Sequence, residues 1–256
     1  MEMNFTKFAL YSKTLGNSRR IRVYYPRHQN KRCPVLYVHD GEFCFRADTP
    51  DGYECLSLDL ALEQIGKEMI IVSLEAMSWQ IRTREYSPFH WIGDAEKYLP
   101  KGEELGDVYL EWVIKEVKPY IDEHFWTKPD CEHTFMMGCS LGALISLYAG
   151  AKYPDTFSKI GSFSLASWGN HQALLAFLDK NPYEKTKLFM RVGTEEGIPR
   201  DLVNLGNCYV GLNREVYERL KAFRSTNINF KINEGTRHKT SAWEKDMPEF
   251  LTWLAK

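Results

Sequence analysis

The chain has 256 residues, of which 44% are hydrophobic and 26% charged, ordinary globular usage that excludes a disordered chain and leaves enough apolar material for a large core. Lys plus Arg (33) nearly balance Asp plus Glu (34), and the formal net charge of −1 argues against a broadly basic nucleic-acid binder. No apolar run approaches the roughly 20 residues that span a bilayer, so neither a nucleic-acid nor a membrane partner is expected.

The opening residues scatter their apolar side chains, and Lys7 interrupts them. That is not a secretory h-region, and a cytoplasmic protein is the expectation. Phe5–Ser12 and Arg19–Tyr25 read as strands joined by a turn at Gly16-Asn17. Pro34–Val38 is an apolar run that stops at His39-Asp40-Gly41, the pattern of a buried parallel strand. Leu58–Ile65 has helical spacing, and Met69–Leu74 is a second buried strand. Residues 76–104 are rich in Trp, Arg, Tyr, Pro and Gly without a clean period, which predicts a long loop layer beside the site. Gly106–His124 repeats apolar residues at helical spacing, with Pro119 placed to kink or end the helix.

Thr134–Met137 is a short apolar strand, followed by Gly138-Cys139-Ser140-Leu141-Gly142 and a helix over Ala143–Tyr153, stopped by Pro154. Lys159–Ser164 and Leu188–Val192 read as strands, Arg214–Arg224 as a helix, Ile228–Ile232 as a strand and Ala242–Ala255 as a last helix. Strands alternating with helices predict an α/β fold with a mostly parallel central sheet covered on both faces, as one domain over 1–256. The six cysteines (Cys33, Cys44, Cys55, Cys131, Cys139, Cys208) form no C-x-x-C pair and lie at no zinc-finger spacing. Six free thiols, no metal and no cofactor are the expectation.

Gly138-Cys139-Ser140-Leu141-Gly142 fits G-x-S-x-G. The pattern alone is a weak signal. An apolar strand leading in and a helix leading out make it stronger, because that arrangement strains the serine and lifts its Oγ above the sheet. Ser140 is therefore the candidate nucleophile, and a serine hydroxyl needs a base. Only His171 and His238 follow it. His238, after the strand Ile228–Ile232, comes from the same sheet edge as the elbow. His171 follows too closely to leave room for an acid strand, and His39 lies where an oxyanion loop is expected; both read as structural. The acid should follow Leu188–Val192, where Gly193-Thr194-Glu195-Glu196-Gly197 offers two carboxylates, with Asp201 in reserve. The oxyanion donors should be the N–H groups of Leu141 and of Glu42, in the loop after the first central strand.

Several segments together resemble the putative-esterase family of α/β-hydrolases, the group related to enterochelin and feruloyl esterases. Tyr37-Val38-His39-Asp40-Gly41 resembles its Y-x-x-D-G segment, and Arg82-Thr83-Arg84-Glu85-Tyr86-Ser87-Pro88 its R-x-x-E-Y-S-P stretch. Ser164-Leu165-Ala166-Ser167-Trp168 is similar to S-P-S-x-W, Gly193-Thr194-Glu195-Glu196 to the G-T-x-E acid loop, and Gly235-Thr236-Arg237-His238 with Trp243 to a G-x-x-H…W ending. The similarity runs through nearly the whole chain in order. It implies the α/β-hydrolase fold, selects Glu196 over Glu195 as the acid, and implies a serine esterase acting on a small-molecule carboxylic ester. Cys139 and Ala143 stand where serine and glycine are common, and Leu165-Ala166 replaces the serine-proline start. Phe43, Trp79, Trp91 and Trp168 are the expected pocket walls, with Phe89 a further one. Arg82, Arg84 and Glu85 read as internal ion-pair residues; a basic rim including Arg237 finds no support in the near-neutral charge. An acyltransferase using the same residues, or a non-catalytic binding protein on a hydrolase scaffold, are the competing readings.

Overall fold

The computed structural model describes residues 3–27, 31–93, 102–197, 208–223 and 227–256. Eight strands form one sheet in the order β1-β2-β4-β3-β5-β6-β7-β8. They are β1 Met3–Ser12, β2 Asn17–Pro26, β3 Val35–His39, β4 Ile70–Leu74, β5 Thr134–Cys139, β6 Lys159–Phe163, β7 Lys187–Gly193 and β8 Ile228–Asn233. β1 and β2 form an antiparallel hairpin that joins β4 antiparallel, Ile21 opposite Leu74; every pairing from β4 through β8 is parallel. Gly16, at φ 68°, supplies the left-handed turn of that hairpin.

The inner parallel strands β3 to β6 are buried on both faces, so their sequences are mostly apolar, whereas the edge strand β8 is half-buried. Alternation divides each between two cores. Val35, Tyr37, Ile70, Val72 and Met136 point to one core; Leu36, Val38, Ile71, Phe135 and Met137 point to the other. The first core is covered by Gly106–His124, Leu141–Lys152, His171–Lys180 and Cys208–Ala222. The second is covered by Leu58–Ile65 and Met247–Leu254, whose Met247, Phe250, Leu251 and Leu254 form one apolar stripe. Leu141–Lys152 is buried on all sides from Leu141 through Ala151, so it reads as apolar without a polar face.

The expected elements are present with end shifts of a few residues, apart from four differences. Residues 79–85 of the expected loop layer are a helix, Trp79–Glu85. Its inward side chains are Thr83 and Glu85, not apolar ones, so hydrophobic periodicity could not reveal it. Residues 94–101 of that layer lie outside the described residues. Pro119 does not end its helix: the segments Gly106–Trp112, Val113–Val117 and Lys118–His124 run on without a break. The middle one is π-helical and opens the hydrogen-bond ladder before the proline, where the missing N–H and the ring would otherwise break it. His171–Lys180 is a helix that the expected elements lacked, although Leu174, Leu175 and Leu178 carry its buried face. The last expected helix starts two residues early and changes character along its length: Thr240–Trp243 is α-helical, Glu244–Asp246 is 3-10 helical and Met247–Leu254 is α-helical.

Trp79–Glu85 is fastened to the sheet by a buried ion pair. Glu85 Oε2 accepts from Arg19 Nη1 at 3.0 Å, and Oε1 accepts from Nη2, with side-chain exposures of 1% and 3%. Removing one member of such a pair strands the other charge in the interior. Glu85→Ala should therefore cost about 3–5 kcal/mol and lower Tm by roughly 10 °C in a thermal melt. An unchanged melting temperature would show that the pair adds nothing to stability.

Candidate active site

β3 connects to β4 on one side and the chain then crosses to β5 on the other, so the strand order reverses between β3 and β5. In open parallel sheets a crevice opens at the carboxyl ends of such a strand pair. His39 ends β3, and Ser140 follows β5. Ser140 has φ 58° and ψ −120°, a strained backbone for a residue with a Cβ. The turn is closed by steric necessity. A Cβ on Gly138 would lie 2.4 Å from the Gly142 carbonyl group, and one on Gly142 would lie 3.3 Å from the His39 Cβ. Ser140 N–H donates to Phe163 O at 2.9 Å, which holds the turn against β6. Leu141 is the first residue of the helix, so its N–H has no acceptor within that helix and is free for an oxyanion.

The two carboxylates after β7 separate cleanly. Glu196 is 2% exposed. Its Oε1 accepts from Gly193 N–H at 2.6 Å and from Ser164 Oγ–H at 2.5 Å, and its Oε2 lies 3.1 Å from His238 Nδ1. Glu195 faces solvent and pairs with Arg237 at 3.2 Å. Asp201 lies outside the described residues. The acid and histidine loops touch through main chain. Glu195 N–H donates to Thr236 O at 3.0 Å, and a Cβ on Gly193 would lie 2.1 Å from the same oxygen.

His238 sits between two rings, Tyr209 at 4.8 Å and Trp243 edge-on at 5.0 Å. Trp243 also donates from Nε1 to Ser164 Oγ at 2.7 Å. A chain of hydrogen bonds therefore runs from Trp243 through Ser164 and Glu196 to His238. Ser164 itself takes a left-handed φ of 54° just past β6. Ser140 is not hydrogen-bonded to His238 in this structure. The Tyr209 hydroxyl lies near the Ser140 and Trp168 side chains; burial pushes that phenol well up, so it stays protonated.

A cavity of about 370 Å3 opens beside Ser140. Phe43, Leu56, Met77, Trp79 and Trp243 supply its apolar walls. Three expected walls are elsewhere. Trp91 is buried against Trp168 at 5.7 Å, and neither lines this cavity; Trp168 instead reaches Tyr209. Phe89 packs on Tyr148 and Phe177 in the core. Aromatic side chains in a loop layer serve packing as readily as binding, and burial decides which.

Arg82 forks onto Asp40 with bonds of 2.5 and 2.7 Å, and Arg84 donates to Glu103 O, so both arginines brace the loop layer. Asp40 adopts φ 56°, and Gly41 has Leu74 main chain 2.8 Å from where a Cβ would sit. This crowding directs the short turn Gly41–Phe43, which carries Glu42 to the cavity. The Glu42 carboxylate accepts from Ala76 N–H at 3.1 Å, and burial raises its pKa. His39 donates to or accepts from Tyr109 Oη at 2.8 Å, and burial lowers it to about 4, so it is neutral. His171 is held between Ser167 and Glu215. His171 lies away from the cavity, whereas His39 is one of its lining residues. Among the described residues, no group of three His, Cys, Asp or Glu side chains could hold a metal ion, and no helix is long and apolar enough to cross a membrane.

Sequence reasoning missed Ser164 and Tyr209. Ser164 was visible as a serine at a strand exit, without a role. Tyr209 carried no local signal, because its helix, Cys208–Ala222, begins six residues before the expected start.

The family model described as "Putative esterase" matches residues 12–254. An uncharacterized protein of Bacillus subtilis (strain 168), YbbA, is 26% identical over 253 residues, covering 97% of this chain and 96% of its own length. The enterobactin esterase FES from Shigella flexneri superposes with a TM-score of 0.76 at 21% identity. That match covers 99% of this chain but spans only 60% of the enterobactin esterase. A ferulic acid esterase superposes with a TM-score of 0.70 at 18% identity, over 99% of this chain and 98% of its own.

Proposed function

The chain belongs to the "Putative esterase" family, hydrolases acting on esters, and from that premise we propose that it cleaves a small-molecule carboxylic ester through an acyl-enzyme on Ser140. The observation that carries this reading is the pairing of His238 with the buried Glu196 at the sheet edge where Ser140 sits on its strained turn.

In this mechanism Glu196 accepts the Nδ1–H of His238 and so leaves Nε2 free to take the Ser140 proton. Ser140 Oγ attacks the acyl carbon. The N–H groups of Leu141 and Glu42 receive the developing oxyanion. His238 then gives its proton to the leaving alcohol, activates water in turn, and the acid is released from Ser140. The walls formed by Phe43, Trp79, Leu56 and Met77 suit an apolar or aromatic acyl or alcohol group. A fluorophosphonate probe should label Ser140, and a panel of short-acyl, feruloyl and catecholate esters should contain a substrate. A folded protein that neither labels nor hydrolyses any of them would overturn the proposal and favour a binding role.

Tyr209 acts as a positioning residue in this scheme. Its protonated hydroxyl lies beside Ser140 while its ring packs on His238. Tyr209→Phe keeps the ring and removes the hydroxyl beside Ser140, so kcat should fall about tenfold, with KM unchanged. A raised KM at constant kcat would assign the hydroxyl to substrate binding instead.

A further inference from the structure

A second and larger cavity, about 620 Å3, lies at the amino ends of the parallel strands, on the opposite edge of the sheet from Ser140. Residues at or just before the starts of β3, β4, β5, β6 and β7 line it, among them Cys33, Met69, Phe135, Lys159 and Lys187. Eight Lys and Arg side chains face it and only two Glu, on a chain whose formal net charge is −1. Positive charge is thus gathered here against the balance of the molecule.

Local pairing does not neutralise it. Lys31 pairs with Glu68, and Lys185 with Asp155. Arg32 donates to the Thr127 carbonyl, and Lys128 meets the imidazole of His133. Among the described residues, Arg32, Lys67, Lys128, Lys159, Lys187 and Lys256 have no carboxylate partner.

Lys159 is the informative member. It is 8% exposed, and its ammonium has one protein acceptor, Leu254 O at 2.7 Å. The rings of Phe135 and Trp253 lie 5.1 and 5.8 Å away. Burial and the charge of Lys187 lower its pKa. A buried ammonium with donors to spare and no counter-charge is unfavourable on its own, and an anion in the adjoining cavity would offset that cost.

We propose that this amino-edge cavity binds a phosphate-bearing anion of two or more negative charges. Ammonium groups converging from several directions suit the many oxygens of a phosphoryl group, whereas a planar carboxylate is best met by a bidentate arginine fork. The cavity offers five lysines without a carboxylate partner, Lys67, Lys128, Lys159, Lys187 and Lys256, and one such arginine. Its concave shape suits a small molecule. The proposal is independent of the ester chemistry at Ser140.

Inorganic pyrophosphate, titrated calorimetrically into the whole protein, should bind with Kd below about 1 mM, and sulfate at equal ionic strength at least about tenfold more weakly. Lys187→Met and Lys128→Met, which alter partly or fully exposed side chains, should each weaken pyrophosphate several-fold with the melting temperature retained; Lys159→Met should weaken it most. Vesicles of phosphatidylcholine with phosphatidic acid form the second arm: sedimentation of the protein with them would place the phosphate on a lipid headgroup, and its absence beside pyrophosphate binding would place it on a soluble ligand. No binding in either arm, equal binding of sulfate, or pyrophosphate affinity unchanged in all three variants would overturn the proposal.

Discussion

Ser140→Ala should lower ester turnover by about 10,000-fold or more, roughly 5 kcal/mol of transition-state stabilisation, while the melting temperature stays within a few degrees. The fold has little stake in the hydroxyl. Ser140 is held through main chain, its N–H on Phe163 O and its carbonyl accepting from Ala143 and Leu144. Alanine can occupy the same turn at the same strain, since the glycines that close it are untouched. Residual activity should come only from the oxyanion donors and binding. The assay is initial-rate hydrolysis of an activated ester by purified, folded variant, paired with fluorophosphonate labelling. Wild-type turnover in that variant would remove Ser140 from the reaction.

Glu196→Gln should lower kcat by about a thousandfold to ten-thousandfold. Both carboxylate oxygens are acceptors: Oε1 serves Gly193 N–H and Ser164 Oγ–H, and Oε2 serves His238. An amide has only one acceptor atom. If its oxygen stays on Gly193 and Ser164, its NH2 faces His238 Nδ1 and demands the opposite tautomer, with the proton on Nε2 where the serine proton must go. If it flips, the NH2 confronts two donors in a buried site. Glu195→Gln removes only an exposed pair with Arg237 and should stay within about twofold of wild type. A steep loss for Glu195→Gln beside near-normal Glu196→Gln would reverse the assignment.

The sheet was legible because its inner parallel strands are buried on both sides. Pro34–Val38 is apolar throughout and Met69–Leu74 at every position but Ser73, and few other elements look like that. The candidate nucleophile was legible because a close turn demands glycine at positions 138 and 142. Between Glu195 and Glu196 the residues themselves were silent: adjacent carboxylates after one strand look alike until the loop is folded, and only the family resemblance favoured the second. Trp79–Glu85 stayed hidden because its inward face is made of Thr83 and Glu85, the latter satisfied by Arg19, which lies 66 positions away in sequence. Tyr209 stayed hidden for a similar reason. Its neighbours His238 and Ser140 are brought to it only when Cys208–Ala222 packs between β7 and β8 in the chain crossover.

Gly193 bears on how the site could be altered. Because the Thr236 carbonyl occupies the space a side chain would need there, the loops bearing Glu196 and His238 are seated against each other main chain to main chain. The two loops thus behave as one mechanical part, joined by the main-chain seat, by the Gly235 N–H to Thr194 Oγ bond and by the Glu195–Arg237 and Glu196–His238 pairs. A graft that exchanged either loop alone for a relative's would have to preserve that seat, whereas the two exchanged together could keep their mutual spacing. For anyone redesigning this enzyme, the natural unit of replacement is the pair.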